Sequence, residues 1–115
     1  MIKKSSDLRN EVREHMRDGD GSVLITHLVE KENLYDKSRL FGVIHLDKNC
    51  SIGYHVHEND SEIFYVIKGE AIYSDNGVEK SVKSGDVLVC AKGEGHSIKN
   101  IKDEQVELVA LIVYA

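Results

Sequence analysis

The chain has 115 residues, 41% of them apolar, which gives room for one domain with a single core. Its formal net charge is -5, and its fifteen Lys and Arg are scattered among twenty Asp and Glu, which argues against a nucleic-acid partner because a phosphate-binding face needs grouped cations. The longest apolar run, Leu108 to Ala115, falls far short of the roughly 20 residues a membrane helix requires, so no membrane partner is expected.

Lys3 and Lys4 are followed by no apolar stretch, so the N-terminus does not read as a secretory signal, and a cytoplasmic protein is expected. Ser6-Asp7-Leu8 followed by Arg9 to Glu14 predicts the capped, charged first turn of a short helix, with His15 on its solvated side. Arg17-Asp18-Gly19-Asp20-Gly21 then predicts a flexible turn. Residues 1–22 are thus expected as an N-terminal lead-in and residues 23–115 as the folded domain. Asp18-x-Asp20 has the opening of a calcium loop, but Ser22 takes the third acidic position and Val29 the terminal glutamate's, so no calcium site is expected.

From Ser22 onward the pattern is β. Short runs rich in Val, Ile, Leu and Tyr end in Gly, Asn or Asp: 23–29, 40–47, 51–57, 62–67, 70–74, 78–83, 86–90, 96–100 and 106–114. Asn76-Gly77 sits between two of them and predicts a type I′ hairpin turn. No crossover helix fits between the runs, which excludes a parallel sheet and leaves an all-β sandwich or barrel of antiparallel strands. Cys50 and Cys90 lack a CxxC partner and are expected as apolar thiols rather than a disulfide. Phe41, Phe64 and Val66 read as core.

The chemistry concentrates in Gly53-Tyr54-His55-Val56-His57-Glu58-Asn59-Asp60-Ser61-Glu62. Residues two apart on a strand share a face, so His55 and His57 converge on one point. Four polar residues reverse the chain, and Glu62 opens the next strand beside the two imidazoles. Two imidazoles and a carboxylate from adjacent strands hold a metal on one side and leave positions open on the other. His96 follows a glycine-rich turn, and the parity of His96, Ile98 and Asn100 turns one face of its strand inward.

The spacing of His55-x-His57, four residues, Glu62, six residues, Gly69 resembles the first motif of the cupin superfamily. Gly85, five residues, Ala91-x-Gly93, two residues, His96, three residues, Asn100 is similar to the second, and fifteen residues separate the motifs, as in small bacterial cupins. The resemblance implies an antiparallel double-stranded β-helix, the jelly-roll barrel. It also implies that His96 joins His55, His57 and Glu62 on one divalent ion. Two positions depart from the pattern: Asn49 stands where a glycine is usual and Ala91 where a proline is usual. Asn tolerates a left-handed backbone and Ala loses only a turn constraint, so neither departure touches a ligand.

The donor types do not separate iron, manganese, nickel and zinc. The resemblance implies either an enzyme acting on a small chelating organic molecule, by oxidation, isomerisation or decarboxylation, or a non-catalytic module that binds a metabolite or sugar. Oxalate-degrading relatives carry an arginine just before the first histidine pair where this chain has Ile52, which weakens that particular activity. Arg39 is the one arginine in the β region, leaving few clamps for an anion, and spacing places no further carboxylate near the ligands. His27, His45 and Phe64 are candidates for lining the pocket. Tyr54 and Tyr65 have the opposite parity to the ligands and are assigned to core or interface packing. A homodimer is expected, seamed by Leu108–Tyr114 or the N-terminal segment.

Overall fold

Val23, Ile25 and His27 are buried while Leu24 and Thr26 are not, and the same period of two runs through the long central strands. Such strands bury one face each and must pair face to face. In the computed structural model, which describes residues 1–115, ten strands do so. They are β1 (Arg9–Glu14), β2 (Ser22–His27), β3 (Ser38–Leu46), β4 (Ser51–Val56), β5 (Asp60–Lys68), β6 (Glu70–Asp75), β7 (Val78–Lys83), β8 (Val87–Cys90), β9 (Gly95–Lys99) and β10 (Val106–Tyr114). One antiparallel sheet has the order β1-β2-β3-β10-β5-β8 and the other β4-β9-β6-β7. Each of the nine runs expected to be β matches a strand to within two residues at either end. Ile25, Ile44, Leu46, Phe64, Ile98 and Leu108 fill the space between the sheets in one continuous core. Cys90 is buried, Cys50 is half-buried, and both are free thiols.

The expected N-terminal helix is absent. Arg9–Glu14 is instead β1, in full antiparallel register with β2 from Arg9↔His27 to Glu14↔Ser22. The segment has one apolar side chain, Val12, and so no stripe to bury as a helix, whereas the free edge of β2 offers it a complete ladder. Around it the chain makes only single 3₁₀ turns, at Ser5–Asp7 and Met16–Asp18. His15 is exposed in the turn between β1 and β2. No helix is long and apolar enough to cross a membrane.

Turn chemistry follows the sequence. Asn76 and Gly77 have φ of 52° and 91°, and Asn49 takes the left-handed φ of 66° that its motif position asks of glycine. Ala91 uses the N–H that a proline would lack, donating to Glu94 Oε1 at 2.8 Å.

Phe41, expected in the core, lies on the outer face of the larger sheet. It is paired with Leu111, which is paired with Ile63, which is paired with Val89. Val43, Val109, Tyr65 and Val87 form a second row across the same four strands. Both sides of β10 are therefore apolar, and the period of two cannot say which side faces the core.

Candidate metal centre

The two sheets present their polar inner residues at one end of the barrel. His55 on β4 stands in register with His96 on β9, so their imidazoles project side by side. His57 lies just past β4, and its backbone is clamped to the β8–β9 turn: its N–H donates to the Glu94 carbonyl at 3.0 Å and its carbonyl accepts from Gly93 at 2.6 Å. Glu62 reaches in from β5 on the opposite sheet. The four residues' donor atoms all lie within 4.8 Å of one another, and all but His55 are fully buried.

Each imidazole has its outer nitrogen occupied by the protein, which turns Nε2 toward the centre. His55 Nδ1–H donates to the Gly53 carbonyl at 2.8 Å, and His57 Nδ1–H to Asp60 Oδ1 at 2.6 Å. His96 Nδ1 is 2.8 Å from the Tyr73 hydroxyl, and its ring stacks on Phe64 with centroids 5.3 Å apart. Such partners fix the tautomer and aim the lone pair in metal-binding histidines.

Inside the cluster, His57 Nε2 is 3.1 Å from both His55 Nε2 and His96 Nε2. Glu62 Oε1 is 3.3 Å from His57 Nε2 and 3.1 Å from His96 Nε2. A carbonyl accepts only, so neutral His55 points a bare lone pair inward. One proton on His57 Nε2 then faces several acceptors and satisfies at most two. A divalent cation accepts a pair from every donor. Neighbouring donors on a six-coordinate ion with bonds of ~2.1 Å stand ~3.0 Å apart, close to the separations here. The donor set fits such an ion.

The electrostatics agree. Burial pulls His55 down to about 4, outweighing the opposing bond to the Gly53 carbonyl, so its lone pair is free. His57 is raised, chiefly by its bond to Glu62 and further by Asp60. Burial is the largest single influence on Glu62 and pushes it up, but the His57 and His96 bonds together outweigh it and leave the carboxylate ionised. Glu62 therefore offers an ionised carboxylate to a cation.

Spacing missed two parts of this site. Asp60, in the polar turn where no further carboxylate was expected, bridges His57 and Arg39, whose Nε donates to its Oδ2 at 3.0 Å. Arginines near the cluster are also more numerous than expected, because Arg13 and Arg17 join Arg39 in lining the small cavity over it, which measures about 40 Å³. Asp60 follows His57 by three residues, a spacing compatible with a turn-closing carboxylate. Nothing in the sequence ties Arg13 or Arg17 to a centre forty residues on.

The other candidates separate. Phe64 walls the site behind His96. His27 faces inward but is bonded to Glu11 at 2.8 Å and lines a neighbouring cavity of about 520 Å³ rather than the metal pocket. His45 is on the outer face, 3.1 Å from Thr26 Oγ1. Tyr54 and Tyr65 are about half exposed.

The cupin domain family matches residues 42–114, well over half of the chain and all four donors. The chain belongs to the cupin family. This cupin is 39% identical over 113 residues to the oxalate-binding protein of Thermotoga maritima, covering 98% of this chain and 93% of that one. A crystal structure from Thermotoga maritima, described as a predicted oxalate decarboxylase, superposes with a TM-score of 0.94 at 38% identity over the full length of both chains. A Klebsiella pneumoniae protein with a double-stranded β-helix domain superposes with a TM-score of 0.71 at 26% identity, covering 88% of this cupin and 84% of that chain.

Proposed function

We propose that this cupin binds one divalent transition-metal ion through His55, His57, Glu62 and His96, and with it captures a small chelating organic acid, oxalate being the first candidate. The observation that carries the reading is the inward convergence of three Nε2 atoms and one carboxylate oxygen, each outer imidazole nitrogen being held by the protein. All four donors approach from the barrel wall, and the side toward the cavity stays open for a ligand. A cavity of about 40 Å³ has room for about three waters at ~10–15 Å³ each, which suits a molecule of a few heavy atoms and disfavours a sugar. The oxalate-binding relative supports the choice of acid.

Turnover of that acid is a second reading, favoured by the same open side. A bound ion would supply Lewis acidity there. The chain's own residues position it: Asp60 holds His57, Gly53 holds His55, Tyr73 holds His96, and Phe64 keeps water from the back of the site.

The apolar outer face of β3, β10, β5 and β8 also supports a homodimer. Tyr65, Val87 and Val89 are among its exposed side chains, and a second copy would cover them.

Elemental analysis of untagged protein purified without chelators tests the central reading, beside His57→Ala and Glu62→Ala. The expected result is near-stoichiometric metal in the wild type and its loss in both variants. Wild-type protein that is empty and cannot be reloaded overturns it. Iron or manganese with consumption of oxalate favours the enzyme, and binding without consumption the capture module.

A further inference from the structure

The chain has four arginines, and three of them line the metal pocket. Arg13 comes from β1, Arg17 from the turn before β2, and Arg39 from β3. All three lie outside residues 42–114, the part that matches the cupin family. A chain of net charge -5 repels a dianion at long range, so an anion site needs cations grouped at its mouth.

Arg39 is placed by a β-bulge. Ser38 pairs with Val113 and Leu40 with Ile112, leaving Arg39 between them without a partner on β10. Bulges re-aim the side chain of the extra residue. Asp60 takes Arg39 Nε, and no other protein group bonds the guanidinium, so the two terminal nitrogens remain for a ligand. A guanidinium presents paired N–H groups that match a carboxylate. Arg17 makes no ion pair with a carboxylate and lines the same cavity as His55. Arg13 is held by Glu11 through Nε and Nη2, at 3.0 and 3.3 Å.

We propose that Arg39, flanked by Arg17 and Arg13, is the carboxylate-recognition group of this site and makes it selective for a small dianion over singly charged or neutral chelators. The inference rests on the metal-binding reading above and assigns its ligand class. The cavity admits only a small molecule, and an ion held by His55, His57, Glu62 and His96 would bind the oxygens turned toward it. The collar takes the oxygens turned away. Arg39 and Arg13 are offset by Asp60 and Glu11, whereas Arg17 and a divalent ion against Glu62 leave an excess of positive charge that a dianion neutralises. Ligand choice is then written in β1, the following turn and the β3 bulge, and metal binding in the matched region.

The test uses the full chain loaded with Mn(II), with oxalate and glycolate titrated by calorimetry and the Mn(II) electron paramagnetic resonance spectrum recorded at each point. Arg39→Gln is expected to keep its manganese and to bind oxalate ten-fold or more weakly. Glycolate should weaken much less, so the oxalate-to-glycolate preference falls. Arg39→Lys restores charge without the fork and should recover only part of the loss. Arg17→Gln disturbs no ion pair and is expected to weaken oxalate several-fold, so it carries the test if Arg39→Gln loses metal by freeing Asp60. Arg39→Gln and Arg17→Gln binding oxalate as the wild type does, or losing oxalate and glycolate equally, overturns the collar while leaving the metal site standing. Wild-type protein that takes up no manganese overturns the metal reading instead, and the collar with it.

Discussion

Asp60→Asn separates the orienting of a ligand from the ligand itself. Asp60 accepts from His57 Nδ1 at 2.6 Å and from Arg39 Nε at 3.0 Å, one donor on each carboxylate oxygen. Asn keeps the shape but has one oxygen and one NH₂. Whichever way the amide turns, it sets a donor against a donor. With its oxygen on Arg39, the NH₂ faces Nδ1, and the His57 proton must move to Nε2, where it blocks the lone pair a metal needs. With its oxygen on His57, Arg39 is released. Loss of such a supporting partner lowers metal affinity by about 10- to 100-fold, or about 1.4–2.8 kcal/mol. Metal-free protein should lose about 1–2 kcal/mol, since the His57 bond is buried while the Arg39 pair is partly exposed and worth little. Competition against a chromophoric chelator gives the affinity, and urea unfolding of the metal-free protein gives the stability. A folded Asp60→Asn protein with wild-type metal affinity would refute the claim that Asp60 orients His57.

Tyr65→Glu places a charge in the middle of the apolar outer face, and light scattering is expected to show the 12.9 kDa monomer where the wild type shows twice that mass. Glu11 is lowered to about 2 by Arg13 and then His27, so its contribution to stability is present above its ordinary 4.5 and is lost as pH falls toward 2. Its side chain is about one third exposed, which discounts the effect to about 1 kcal/mol, and Glu11→Gln should flatten urea midpoints across that window. Asn100 is fully buried, donates to the Leu46 and Glu104 carbonyls and accepts from Lys102 N–H. Asn100→Ala strands all three groups and should cost about 2–4 kcal/mol in urea unfolding. A Cβ at Gly53 would run into the Arg17 carbonyl, so Gly53→Ala should push the 16–18 turn away from β4 and weaken oxalate binding to metal-loaded protein, an effect absent if Arg17 does not face the site.

Strand parity made most of the His and Glu cluster legible. His55 and His57 share a face because they are two apart, and the same rule buried His96, Ile98 and Asn100 together. Parity fails where both faces of a strand are apolar. β10 reads Val-Glu-Leu-Val-Ala-Leu-Ile-Val-Tyr, and only pairing with β3 and β5 shows that Leu108 and Ile112 face the core while Val109 and Leu111 face out. Phe41 inherits that ambiguity through Leu111. At the N-terminus, charged residues behind Ser6-Asp7 satisfy a helix-start rule, yet their conformation is set by the open edge of β2, a partner that local sequence does not show. Asp60 was hidden differently: it looked like one of four polar residues closing a turn, and only the direction of its side chain makes it a partner of His57.

The arginines show why the site's two halves differ in legibility. A metal needs donors within a few ångströms of one point, and adjacent strands deliver them from nearby sequence positions, as His55, His57 and Glu62 do. Recognition of an anion by charge acts over longer distances, so its residues can come from any element that reaches the mouth. Arg13, Arg17 and Arg39 come from an edge strand, a turn and a bulge. Their arrangement depends on β1 continuing the larger sheet and on the 16–18 turn packing against β4, where Gly53 and Gly19 let the two backbones approach. On the proposed reading, a change of ligand would require no change in the metal donors, only in the hairpin and bulge that carry the cations. Residues 42–114 match the family and hold all four donors, whereas the three arginines lie N-terminal to that range.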